Sequence, residues 1–259
     1  MSTSAPRPLP ELASLQAILT DVDGTLYDLH PVRRHMLSAL LCAHLTNPLL
    51  GWKTVRCLRA FCDAQEHLRF ADRNSAETGS ASHSELQFTL AQQATGYSAE
   101  FVRQTATRWM EREPLASLPS AAHPGMRDFF VWAATRGIKL AALSDYPLDA
   151  KLNALGVAEL FPLGVSASHP EVQRFKPQPA ILEFALRQLE VAPEHALYIG
   201  DRPDVDGTAA HRAGVAAAIL SPHTSPGPHH GLLYVRSFSE LRQLLEQRTT
   251  VKDVQEKAD

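Results

Sequence analysis

From residue 122 onward the chain repeats one unit: a helical pattern, a glycine, then an apolar run. MRDFFVWAATRG precedes IKLAALS, LDAKLNALG precedes VAELF, and AAHRAG precedes VAAAIL. In each case the glycine (Gly137, Gly156, Gly214) stands where a left-handed residue commonly ends a helix. The runs IKLAALS, ALYIGD and VAAAIL are apolar almost without interruption, as strands covered on both faces must be. Helices and strands alternating in this way imply right-handed crossovers and a parallel sheet with helices on both sides. The predicted class is α/β, with a doubly wound parallel sheet.

Such sheets place their chemistry beyond the carboxyl ends of the strands, so the residues closing each apolar run are the candidates. ILTDVDGTL at 18–26 ends in Asp21 and Asp23, followed by Gly24 and Thr25. Acids one residue apart on a continuing strand would face opposite ways. Gly24 permits a turn that brings both to one ligand. The same four residues also fit a plain Asp/Gly turn. A calcium loop does not fit, because its first acid would fall on Leu19.

Three later segments share this design. IKLAALSD at 138–145 closes on Ser144 and Asp145, and RFKPQPAI sets Lys176 just before a helical pattern beginning near Pro179. ALYIGDRPDVD at 196–206 ends in Asp201, Asp204 and Asp206. Singly, Ser144 reads equally as a helix N-cap and Lys176 as an exposed loop lysine. Asp204 equally suits a cap for the helix at 207–212.

The four segments, in this order, resemble the haloacid dehalogenase superfamily, in its phosphatase branch with a C1-type helical cap (phosphoglycolate phosphatase-like). The resemblance covers all but the ends of the chain. It implies that Asp21 is a nucleophile forming an aspartyl phosphate and Asp23 a general acid and base. Neighbouring carboxylates are expected to raise the proton affinity of Asp23, opposed by Lys176 and a metal. It also implies Mg²⁺ as cofactor, held by Asp21, Asp201 and the backbone carbonyl of Asp23, with Asp206 behind them. Val22, Ser144, Asp145 and Lys176 would bind the phosphoryl group, Val22 and Asp145 through their amides. The superfamily's dehalogenases lack an acid at the position of Asp23, so its presence favours phosphoryl transfer. QRFKPQP departs from the usual KPDP-like run, in loop shape rather than in its lysine.

Between 30 and 121 the pattern turns helical throughout. Leu37, Leu40, Leu41 and Leu45 form one stripe, and Val55, Leu58, Phe61 and Cys62 another. SHSE at 82–85 fits a capping box opening a helix through Leu86 and Leu90, and Phe101, Val102, Thr105 and Trp109 mark a further helix. By the resemblance, 30–121 is the inserted cap, which closes on the site and excludes water. The expected core is 16–29 with 122–247, hinged at 29–32 and 119–124. Residues 1–15 read as a flexible lead-in, 72–82 as a polar loop, and 248–259 as a solvated tail after a helix at 239–246. The Pro- and His-rich stretch at 221–231 reads as a surface loop leading to the strand LLYV.

Composition narrows the partners. A net charge of −3 gives no electrostatic reason to expect nucleic acid or an anionic membrane. No stretch approaches the roughly 20 apolar residues that span a bilayer, and the N-terminus lacks a signal-peptide core. Cys42, Cys57 and Cys62 sit in helical patterns without a CxxC pair, so buried or half-buried free thiols in a reducing cytoplasm are expected. The predicted function is hydrolysis of a small-molecule phosphate monoester. Alternatives are a phosphomutase or phosphotransferase on the same scaffold, or a non-enzymatic binding or regulatory module. Arg69 and Arg73 flank the polar loop; either could grip a second anionic group, and a solvated helix face is the favoured reading.

Overall fold

A computed structural model describes residues 8–70, 82–222, 224, 226–229 and 232–255. Seven strands form one sheet in the order β3-β2-β1-β4-β5-β7-β6. They are β1 (Ala17–Asp21), β2 (Lys139–Ser144), β3 (Leu163–Ser166), β4 (Ala196–Gly200), β5 (Ala216–Leu220), β6 (Gly227–His229) and β7 (Leu232–Val235). All neighbours run parallel except β6 with β7. The central β1 is buried along its length, and its side chains alternate between two cores. Ile18 joins the core that includes Phe129, Phe130 and Phe238, while Leu19 joins one built on Ile181, Leu182 and Tyr198. This double covering is the physical reason for the continuous apolar runs.

The glycine rule holds with one correction. VAELF is not a strand: Ala158–Leu160 is a 3-10 turn, and β3 follows it. After the helix Asp149–Ala154, the Gly156 amide donates to Asn153 and the Val157 amide to Leu152, closing a Schellman motif. Val157 is fully buried as the hydrophobic contact of that motif, not as the first residue of a strand.

Helices α1 (Leu29–His44), α2 (Pro48–Phe70), α3 (His83–Thr95) and α4 (Ala99–Ala106) occupy the region after β1, with no strand among its described residues. Ser82 caps α3 by accepting from the Ser84 amide. The helical period is present, but the leucine stripe is not core: Leu37, Leu41 and Leu45 are exposed, and Val32 is the one buried residue of α1. Val55 is exposed as well, and the small core of this region uses Cys57, Phe61, Ala91, Val102 and Ala106. Cys42 and Cys62 are exposed, contrary to expectation, and all three cysteines are free.

The crossings between the two regions are pinned. Tyr27 and Ala122 form an antiparallel bridge, with the Asp28 amide donating to Ala121 and the His123 amide to Leu26. The expected hinge residues 29–32 are the first turn of α1, and Leu118–Ala121 is itself a short helix, α5. Helices α6 (Met126–Ala134), α7 (Asp149–Ala154), α8 (Ala180–Leu189), α9 (Thr208–Ala213) and α10 (Phe238–Gln255) cover the sheet. The last continues nine residues past Glu246, through part of the expected tail. The lead-in is not wholly loose: Leu15 is buried, and Leu9 and Leu12 pack on the core. In the stretch at 221–231 the expected loop carries β6. Arg73 and the polar stretch 71–81 lie outside the described residues.

Candidate active site

The carboxyl ends of β1, β2 and β4 deliver Asp21, Ser144 and the turn after Gly200 to one place. Gly24 adopts φ +97°, and a Cβ there would lie 2.4 Å from Asp201 Oδ2. A Cβ on Gly200 would lie equally close to the Asp206 side chain. Both glycines are therefore spaces into which the acids of the β4 turn fit.

Asp21 is buried; Thr25 Oγ1 donates to its Oδ2 at 3.1 Å, and Lys176 Nζ donates to its Oδ1. Lys176 Nζ also reaches Asp206 Oδ1 at 2.7 Å and Tyr198 Oη at 2.9 Å. Asp206 is fully committed: its Oδ1 accepts from Lys176 and Tyr198, its Oδ2 from the amides of Asp201 and Arg202. Burial drives Asp21 well above the usual carboxylate range; Asp206, Asp201 and Asp23 add to this, and Lys176 only partly offsets it. Burial and Asp206 push Asp201 up to about 7. For Asp206, Lys176 and the donated hydrogen bonds overcome burial and hold the pKa down.

One oxygen from each of Asp21, Asp201 and Asp206 lies within 4.8 Å of the others. An all-oxygen set with mutual repulsion of this kind suits a hard divalent cation. Asp206 already accepts four hydrogen bonds against two for Asp21, so Asp21 and Asp201 are the acids with lone pairs left to face an ion. Asp204 stands apart. It is exposed, pairs with Arg202 at 2.7 Å and lies outside the carboxylate cluster, and the turn before α9 has no side-chain cap, so the cap suggested for it is not formed.

Asp23 departs from expectation. Lys151 Nζ lies 2.6 and 2.7 Å from its two oxygens, Ser144 Oγ donates at 3.2 Å, and the Tyr27 hydroxyl also donates to it. Burial would raise the Asp23 pKa, but Lys151 prevails with help from Tyr27 and Ser144, and the carboxyl titrates below its ordinary value. Lys151 escaped the sequence reading, although a signal exists. It lies three residues after Leu148 and four before Leu155, on the apolar stripe of α7, where a lysine is out of place. Tyr27 and Tyr198 carry no comparable signal.

Asp145 reaches across to the helical region. Arg69 Nη2 lies 2.6 Å from Asp145 Oδ2, and the Lys176 amide donates to Asp145 Oδ1 at 3.1 Å. The Arg69 side chain is 11% exposed, so it is not a solvated helix face. Arg69 also pairs with Glu66, which in turn meets Arg202 at 2.8 Å. Tyr146 Oη donates to Gln65 Oε1 at 2.8 Å. Ser144 thus faces Asp23, Lys176 faces Asp21, and Val22 is buried just beyond β1. The arrangement holds a carboxylate beside a fixed ammonium, a second carboxylate with its own cation, and an acid pair able to accept a metal.

A sequence model described as haloacid dehalogenase-like hydrolase matches residues 15–214. A phosphoglycolate phosphatase of Pseudomonas putida is 27% identical over 220 residues, covering 83% of this chain and 71% of that protein. The solved 2-haloacid dehalogenase of Pseudomonas syringae pv. tomato superposes with TM-score 0.62 at 20% identity, over 90% of this chain and 99% of that one. A magnesium-bound hydrolase from Bacillus subtilis superposes with TM-score 0.63 at 16% identity, with the same two coverages. At such identities the structural likeness speaks for the fold alone.

Proposed function

The chain belongs to the haloacid dehalogenase-like hydrolases, and from that premise we propose that it is a Mg²⁺-dependent phosphatase of small phosphate monoesters working through an aspartyl phosphate on Asp21. The observation that carries the proposal is the pairing of Asp21 with a second acid, Asp23, each beside its own buried lysine. A halide leaving group has no use for a proton donor, whereas an alkoxide does. The relatives named as phosphatases, among them a glyceraldehyde 3-phosphate phosphatase of Methanopyrus kandleri at 28% identity, support the same chemistry.

Asp21 attacks phosphorus, and the ester oxygen leaves with a proton from Asp23. This carboxylate beside Lys151 gains that proton as the phosphate dianion binds next to it. Asp23 then takes a proton from the water that cleaves the acyl phosphate, restoring both acids. Lys176 and the Ser144 hydroxyl offset charge on the phosphoryl oxygens, with the amides of Val22 and Asp145 beside them. Mg²⁺, held by Asp21, Asp201 and the Asp23 carbonyl with Asp206 behind, would shield the phosphate and align it for in-line attack. Gln65 and Arg69 of α2 meet Asp145 and Glu66 meets Arg202, which supports reading residues 30–121 as a cap that limits water. The free thiols fit a reducing cytoplasm.

Phosphate release from an aryl phosphate, with Mg²⁺ and with chelator, tests the reading. Turnover is expected only with metal and is expected to fall at least about a thousandfold in Asp21→Asn, as for loss of a covalent nucleophile. Equal turnover in chelator or in the variant would refute it.

A further inference from the structure

The α1–α2 hairpin carries large apolar side chains that no described residue covers. Leu41, Leu45, Leu49 and Trp52 are 62%, 74%, 78% and 67% exposed, with Leu37 and Leu50 beside them. Four of these six lie within the turn or one helical turn of it, since α1 ends at His44 and α2 begins at Pro48. Contiguous exposed apolar side chains at this density mark a surface that meets another phase or molecule.

The charge around this tip is one-sided. Residues 29–62 contain Arg33, Arg34, Lys53, Arg56 and Arg59 and not one Asp or Glu, in a chain whose net charge is −3. All five are exposed, and none forms an ion pair among the described residues. Arg34, Leu37, Leu41 and Leu45 share one stripe of α1 by their spacing, as do Trp52, Arg56 and Arg59 on α2. At 1.5 Å per residue Lys53 stands about 8 Å along its helix from the turn, Arg56 about 12 Å, and Arg33, Arg34 and Arg59 about 15–17 Å, beside the outer members of the apolar set.

We propose that this tip docks on an anionic lipid surface, with the leucines and Trp52 among the acyl chains and the cations at the phosphate level. Interfacial helices of this type bury their apolar face about 5–10 Å deep and use Lys and Arg for anionic headgroups. Other occupants fit less well. A second copy, packing the same face on itself, would bring both sets of five cations to one interface with no Asp or Glu from residues 29–62 to pair them. Nucleic acid supplies phosphates but no apolar phase for six large side chains. The net charge of the whole molecule does not oppose the docking at about 0.1 M salt, the low-salt condition of the test, because exposed charges beyond about 10 Å are screened there.

Flotation of the full-length protein with vesicles is the test, comparing phosphatidylcholine alone with phosphatidylcholine containing phosphatidylglycerol. Binding to the anionic vesicles is expected at low salt, at least about tenfold stronger than to neutral ones, and lost near 1 M salt. Tryptophan emission should shift to the blue on binding. That signal belongs to Trp52, because Trp109 and Trp132 are buried at 3% and 5%. Leu45→Asp with Leu49→Asp, and separately Arg33→Glu with Arg34→Glu, should each weaken binding about tenfold or more with an unchanged circular dichroism spectrum. No association with anionic vesicles at low salt would overturn the proposal. So would a dimer in solution that the leucine variant dissolves, which would make the face an interface between copies.

Discussion

Lys151 is the residue that changes how the site is expected to behave. With burial alone, or with only the neighbouring acids, Asp23 would hold its proton tightly; the buried ammonium reverses this. Lys151→Met therefore raises the Asp23 pKa through loss of an adjacent opposite charge. The basic limb of the kcat pH profile, which reports deprotonation of the acid with phosphate bound, should move to higher pH, while turnover falls because Asp23 loses its positioning partner. An unchanged profile would mean that another group delivers the proton. Asp21 and Asp23 were legible as site candidates because the acids of DVDGT close an apolar run and three later segments follow in order, whereas DVDGT alone also fits a plain turn. Lys151 was not, because its helix looks ordinary until its apolar stripe is traced.

At the level of elements, the turn after β1 and the turn after β4 are fitted to each other through glycine. Gly24→Ala would place a methyl against Asp201 at a backbone angle that side chains rarely adopt. A stability loss of about 1–3 kcal/mol is expected from the strained backbone, together with a lower apparent affinity for Mg²⁺ as Asp201 is displaced. Thermal melts and metal titration of activity measure the two effects. The sheet and its order of helices could be read from the glycine-terminated repeats, since a strand covered on both faces leaves an unmistakable apolar run. VAELF misled because a Schellman motif also demands an apolar residue just past its glycine. The leucines of α1 misled in the opposite sense: helical periodicity reports a stripe, not what the stripe packs against.

Across the whole molecule, the site is closed by contacts between the helical region and the sheet, and these differ greatly in value. Arg202 and Glu66 are 36% and 44% exposed, so breaking that pair should cost under about 1 kcal/mol. Arg69→Ala leaves Asp145 buried without its cation and should cost about 3 kcal/mol. Charge also ties stability to pH. Asp201, at about 7, and Asp21, also raised, hold protons in the folded metal-free protein that the unfolded chain has already released near pH 4. For these two acids the folded state binds more protons than the unfolded one, so their contribution to metal-free stability falls as pH rises from about 4 to 7, while His83, lowered by burial to about 4, contributes in the opposite sense. Saturating Mg²⁺ should raise the melting temperature by several degrees more at pH 8 than at pH 5, because the ion needs the deprotonated acids. The same increment at both values would mean that these acids do not hold the ion.

A covalent phosphoryl group at Asp21 is the most direct mark of the proposed reaction. Acid-quenching the enzyme during turnover of an aryl phosphate with Mg²⁺, then sequencing its peptides by mass spectrometry, looks for that group. The predicted result is one added phosphoryl mass on the peptide carrying Asp21, removed by hydroxylamine and absent in Asp21→Asn. Steady turnover with no labelled peptide, or with the label on any other residue, would contradict it.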